Sequence, residues 1–134
     1  MTSSSPTSPV PTSQAEAMRL LRAELDPLIA LVGEVTEVTG DGPLACDPGN
    51  DSAGFASTYQ VRLRAEPGAL QKLTSQIAPE MKAKGWRVEQ SARQDEGNWY
   101  FRRDGFALMV FVGATAGDTA ATAGGAAPCL PKEG

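Results

Sequence analysis

The sequence predicts an α+β domain in which two helices pack on one face of a mainly antiparallel four-stranded sheet, in the order α-β-α-β-β-β, with one disulfide. Three observations carry that expectation. Two segments repeat apolar residues at helical spacing. Four others alternate, or run apolar, over strand lengths. Two cysteines, Cys46 and Cys129, flank the stretch between them.

Size sets the frame. The chain has 134 residues, and its flanks offer little to a core. Residues 1–12 are almost all Ser, Thr and Pro, which bury too little apolar surface to offset the entropy of ordering. Residues 114–134 are rich in Ala, Gly and Thr and read as a tail tied back through Cys129. The segment left, 13–113, is enough for one two-layer domain and too short for two.

Ser13-Gln14-Ala15-Glu16 is a capping box, in which hydroxyl and carboxylate satisfy the free N–H groups of a helix start. Met18, Leu21, Leu25, Leu28, Val32 and Val35 follow at three- and four-residue spacing and form one apolar face. Pro27, preceded by Asp26, is expected either to split this helix in two or to kink it. Gly33 ends it, and residues 34–39 then alternate as an extended stretch. A turn-rich loop, 40–54, holds Cys46.

The clearest strand places Tyr59, Val61, Leu63 and Ala65 on one side and Gln60, Arg62, Arg64 and Glu66 on the other. Pro67-Gly68 breaks it. Leu70, Leu73, Ile77 and Met81 mark the second helix, closed by Gly85 after Lys82 and Lys84, with a kink expected at Pro79. Gly68 and Gly85 bracket a β-α-β unit whose strands are either parallel neighbours or flank others. Residues 86–92 alternate; Asp95-Glu96-Gly97-Asn98 is a turn; residues 99–103 set Trp99 and Phe101 against Tyr100 and Arg102. Asp104-Gly105 signals a type I′ hairpin, and residues 106–112 are apolar on both faces.

Composition narrows function. The formal net charge is −4 and there is no His. An acidic chain is a poor partner for nucleic acid, whose phosphates demand excess Lys and Arg. Without His the commonest general base and zinc ligand are both missing, and two Cys are too few for a structural zinc site. No cofactor or metal is expected. Asp47 with Asp51 and Asp95 with Glu96 are acidic pairs, yet all four fall in turns where solvated carboxylates are ordinary. An enzyme is not expected.

Cys46 and Cys129 sit in Gly/Pro-rich loops, and their pairing implies an oxidising compartment; two thiols in a cytosolic protein are the alternative. No apolar run reaches the roughly 18 residues of a membrane span. Pro43-Leu44-Ala45-Cys46 lacks the aliphatic residue of a lipobox and is not read as a cleavage site. The Ser/Thr/Pro start is instead expected to follow a lipidated N-terminal Cys, as the tether of a domain on the outer face of the cell membrane. A monomer is expected.

The second face of the sheet is the candidate site. With Tyr59, Val61, Leu63, Val88, Phe101 and Val110 toward the helices, Arg62, Arg64, Arg87, Tyr100, Arg102, Met109 and Phe111 face away. Guanidinium groups bind carboxylate or phosphate in forked pairs, and Tyr, Phe and Met add apolar contact, so an amphipathic ligand with an anionic group suits this surface. The alternative is a solvated face whose Arg side chains pair with Glu66 and Glu89. A groove under the first helix, opened at Pro27, is a second candidate.

The leader, the Cys46-Asp47-Pro48-Gly49 loop, the strand 58–65, and the Gly85-Trp86-Arg87-Val88 and Asn98-Trp99-Tyr100-Phe101 strands together resemble small actinobacterial lipoproteins. Within that group the chain is similar to the lipoproteins encoded beside lantibiotic biosynthesis genes. The resemblance implies self-immunity: a membrane-anchored, non-catalytic domain that holds a toxic peptide away from its lipid target. It implies no particular site residue. Two other functions remain in view, a regulatory lipoprotein contacting an envelope-stress sensor and a cytosolic enzyme or accessory subunit.

Overall fold

Ser13 begins the first helix through its hydroxyl, which accepts the Glu16 N–H at 3.1 Å. In the computed structural model residues 11, 13–47, 49, 53–90, 97–112 and 120–131 are described. The leader apart from Pro11, and the turn residues Asp51, Asp95 and Glu96, lie outside them. Helix α1 (Gln14–Val32) buries Leu21, Leu25, Leu28 and Val32 along the expected stripe, joined by Ala17 and Ile29. Each fully buried Leu contributes about 1.5–3 kcal/mol of transfer free energy. Met18 is half-buried against the core and Val35 is exposed beyond the helix.

Pro27 neither splits α1 nor ends it; the helix is unbroken across it. The missing N–H leaves the Ala23 carbonyl without its helical donor, but Ala23 and Pro27 are both exposed, so water replaces the lost bond. The apolar stripe of α1, read as a possible groove wall, is part of the core.

The sheet has six strands, not four, and the order is α-β-β-α-β-β-β-β. The stretch after α1 is a full strand, β1 (Gly33–Ala45), antiparallel to β2 (Phe55–Ala65). Bulges between Val35 and Glu37 and between Val38 and Gly40 shift its register and break the period-2 signal. The second helical segment spans 69–83. Its α-helical ends, Ala69–Lys72 and Ala78–Ala83, are joined by a π-helical turn, Leu73–Ile77. The irregularity expected at Pro79 therefore falls one turn earlier. Two side chains of this turn bond back to the preceding one: Thr74 Oγ1 donates to Leu70 O and Ser75 Oγ to Gln71 O.

Three strands follow, β3 (Arg87–Gln90), β4 (Gly97–Arg103) and β5 (Phe106–Val112). Asp104 and Gly105 both have positive φ, 52° and 84°, as a type I′ turn requires. The last strand, β6 (Ala120–Ala126), comes from the stretch assigned to a tail. It lies between β2 and β5 in the order β1-β2-β6-β5-β4-β3, with every pairing antiparallel. The strands around the second helix, β2 and β3, thus run in the same direction but are not neighbours: they flank β6, β5 and β4.

Small side chains are what admit β6 to the centre. On the helix side, one row across the sheet reads Tyr59, Gly125, Leu108, Phe101, Val88 and the next Val61, Ala123, Val110, Trp99. A Cβ on Gly125 would lie 2.7 Å from the Ala107 carbonyl oxygen and 3.0 Å from Leu21 Cδ1, so α1 rests on bare backbone there.

Polar contacts fasten the edges. Ser57 Oγ, buried, donates within reach of Gln14 Oε1 (2.6 Å) and O (3.0 Å), while Gln14 Nε2 donates to Phe55 O. Arg22 stacks over the Tyr59 ring at 4.0 Å and donates to Asp26, whose carboxylate holds the guanidinium above its ordinary pKa. The Arg103 side chain, 14% exposed, donates to Glu24 Oε1 (3.1 Å) and Lys84 O (2.9 Å) and lies over Trp86. Cys46 and Cys129, 83 positions apart in sequence, form the disulfide, with Cα atoms 6.2 Å apart.

Three substitutions test this packing. Gly125→Val is expected to lower the unfolding free energy by about 3 kcal/mol, read by chemical denaturation, because a branched side chain overpacks α1 against the sheet. Arg103→Ala is expected to lower it by about 2 kcal/mol, since Glu24 loses a charged hydrogen bond in a partly buried place. Arg62→Ala, which removes an exposed pair with Glu37, is expected to change it by less than about 0.5 kcal/mol.

Candidate ligand-binding site

The strands' two-residue period sends Arg62, Arg64, Arg87, Tyr100, Arg102, Met109 and Phe111 to the face away from the helices, as the sequence indicates. Register divides them. One cross-strand row on that face reads Thr58, Ala126, Ala107, Arg102, Arg87 and the next Gln60, Gly124, Met109, Tyr100, Glu89. A third runs Arg62, Thr122, Phe111, Asn98.

The first two rows make a trough of about 660 Å³, within the size range of small-molecule sites. Its floor is Gly124, Ala126 and Ala107, where missing or single-carbon side chains leave a depression. Met109, Tyr100 and Arg102 form one wall. The other wall is the end of β1, residues 39–44, with Pro43 and the 63%-exposed Leu44. Thr58 Oγ1 donates to Gly42 O at 2.8 Å and fixes this wall to β2. Met109 is half-buried rather than exposed, as is Phe111, because each lies in a concave surface.

The other four candidates lie elsewhere on the face. Arg62 and Phe111 line a separate hollow of about 410 Å³ with Thr36 and Thr122. Arg62 is turned to Glu37 at 3.2 Å, not to Glu66, which pairs with Lys72. Arg64 stands opposite Glu34 on β1 and Ala120 on β6, away from the trough. Arg87 adjoins the trough through Arg102, its register partner. Leu44, Ala107, Gly124 and Ala126 are the site residues that the sequence did not point out. Their only cue was the Cys46–Cys129 pairing, which draws the tail toward the start of β2.

Among the described residues no group of three or more His, Cys, Asp or Glu side chains is arranged to hold a metal ion. No helix among them is long and apolar enough to cross a membrane. The chain matches no family model, no curated protein and no solved structure.

The disulfide lies at the foot of the β1 wall. Cys46 directly follows Ala45, the last residue of β1, and Cys129 follows β6 by three residues. Phe55 and Leu130 exchange backbone hydrogen bonds of 2.8 Å beside it. Reduction is therefore expected to speed amide hydrogen exchange at residues 42–46 by about tenfold or more while leaving Val110 and Ala123 protected. Equal acceleration at all of these would mean that the bridge holds the whole fold and not the wall.

Proposed function

We propose that this chain is a non-catalytic, extracytoplasmic binding domain that takes an amphipathic ligand on the outer face of its sheet. The observation that carries this reading is the trough itself. A sheet face that served only solubility would be filled with long polar side chains, whereas this one is hollowed over Gly124, Ala107 and Ala126 and walled by Leu44, Met109 and Tyr100. The disulfide supports an oxidising compartment, and the absence of His removes the usual acid–base residue.

In its most specific form the function is lantibiotic self-immunity: a lipid-anchored domain that sequesters the peptide at the membrane. The negative net charge attracts a cationic peptide before close contact, and the trough accepts its apolar side chains. A second reading, a regulator touching an envelope-stress sensor, rests on another surface. Val35 and Val38 on the edge strand β1 are exposed at 42% and 49%, near Leu31 at the end of α1, and apolar edge residues of this kind serve protein contact.

Expressing a lipid-anchored form in a sensitive host is expected to raise its tolerance to the lantibiotic. Ala107→Trp, which fills the trough from a half-buried outward position, is expected to abolish that gain without lowering thermal stability. Unchanged tolerance with the wild-type domain at the membrane refutes immunity. Loss of function on Val38→Glu, with Ala107→Trp silent, favours the regulator.

A further inference from the structure

Arg87 and Arg102 face one another directly across β3 and β4, on the outer side of the sheet. Like charges in this position repel and weaken strand pairing. Among the described residues neither has a carboxylate within ion-pair distance; the pairs formed use Arg22, Arg62, Lys72 and Arg103. Glu89, on the same face, stands opposite Tyr100 and engages neither Arg. Asp104 is turned toward Arg103, which Glu24 also holds.

This pair of cations lines a hollow of about 580 Å³ that shares Arg102 and Ala107 with the trough. The largely apolar trough therefore adjoins, through Ala107 and Arg102, a hollow in which Arg87 and Arg102 stand beside Arg103 and the Asp104 carboxylate that faces it. The floor adds a second constraint. It is made by β5 and β6, whose backbone groups are engaged by strands on both sides. A peptide main chain laid on that floor would find no backbone partner there and would depend for its N–H and C=O groups on the side chains of Thr39, Asp41, Thr58, Gln60 and Tyr100 around it. A polymethylene chain has no such groups to leave unsatisfied.

From these observations we infer that the trough's ligand is a single-chain anionic amphiphile: its hydrocarbon lies between Leu44 and Met109, and its carboxylate or phosphate head is gripped by Arg87 and Arg102. This rests on the reading of the outer face as a ligand site and names the ligand's class. Two guanidinium forks converging on one oxyanion supply charge-assisted hydrogen bonds, and the bound anion relieves the repulsion between them.

The test uses the full oxidised chain and five probes, followed by NMR and calorimetry. They are decanoate, decyl phosphate, decan-1-ol, and the heads alone as acetate and inorganic phosphate. Decanoate or decyl phosphate is expected to shift Leu44, Ala107, Met109 and Ala126 and to bind about tenfold or more tighter than decanol. The tighter of the two heads identifies the source, fatty acid or phospholipid-type. Acetate and phosphate are expected to show no saturable binding. The double variant Arg87→Ala, Arg102→Ala is expected to lose the preference for the anions, to keep its affinity for decanol, and to melt no lower than wild type. Equal binding of decanol and the anions, or an anion preference that survives the double variant, overturns the assignment. If a lantibiotic shifts these same residues and neither anionic amphiphile does, the lipid assignment fails while the peptide-binding function stands. Saturation by the amphiphile with no response to the peptide gives the reverse.

Discussion

The close approach of α1 to the sheet across β6 governs the rest of the molecule. At Gly125 there is no room for a single carbon beyond the backbone, with Leu21 above and the Ala107 carbonyl beside it. The helix therefore lies low on the sheet, and its leucines share one core with the inward residues of β2 and β5. The same strand, turned over, places Gly124 and Ala126 on the outer face and leaves the depression of the candidate site. One run of minimal side chains thus sets the depth of the core on one face and of the trough on the other. A larger residue at position 124 is excluded for a related reason: its Cβ would stand 2.9 Å from the Tyr59 carbonyl oxygen.

Polar interactions divide by burial into those that hold the fold and those that do not. Arg103 joins β4 to α1 and to the end of the second helix while covering Trp86, and its side chain is largely removed from water. Arg62 makes an ion pair of similar length with Glu37, but both side chains are more than half exposed, and screening leaves such a pair little net value. The two opposed arginines at positions 87 and 102 sit at the far end of this range. Neither makes an ion pair with a described residue, and each faces its like charge across the strand pair.

Sequence periodicity made the helices and the inner strands legible. The stripe Leu21, Leu25, Leu28, Val32 and the alternation around Val61, Phe101 and Val110 assign residues to the core because burial follows the geometric period directly. The same rule put all seven candidate site residues on the correct face. It did not say which strands are neighbours, and only adjacency distinguishes Tyr100, Arg102 and Met109, which share the trough, from Arg62 and Phe111, which do not. β6 was illegible for a different reason. Ala and Gly have low intrinsic strand preference, and their fitness at this place comes from the larger residues they lie between, Tyr59 and Leu108. β1 was seen only in part, since two bulges and Gly40, Gly42 and Pro43 interrupt its alternation.

Putting the last strand in the middle has a temporal consequence. β1 and β2 form one portion of the sheet and β3, β4 and β5 another, and β6 alone hydrogen-bonds to both. Until residue 126 has been synthesised and delivered, the two portions have no edge in common. A chain that emerges amino-terminus first therefore holds β1 to β5 with the seam open until β6 follows. The disulfide partner Cys129 arrives just behind that strand, so covalent locking cannot precede its synthesis.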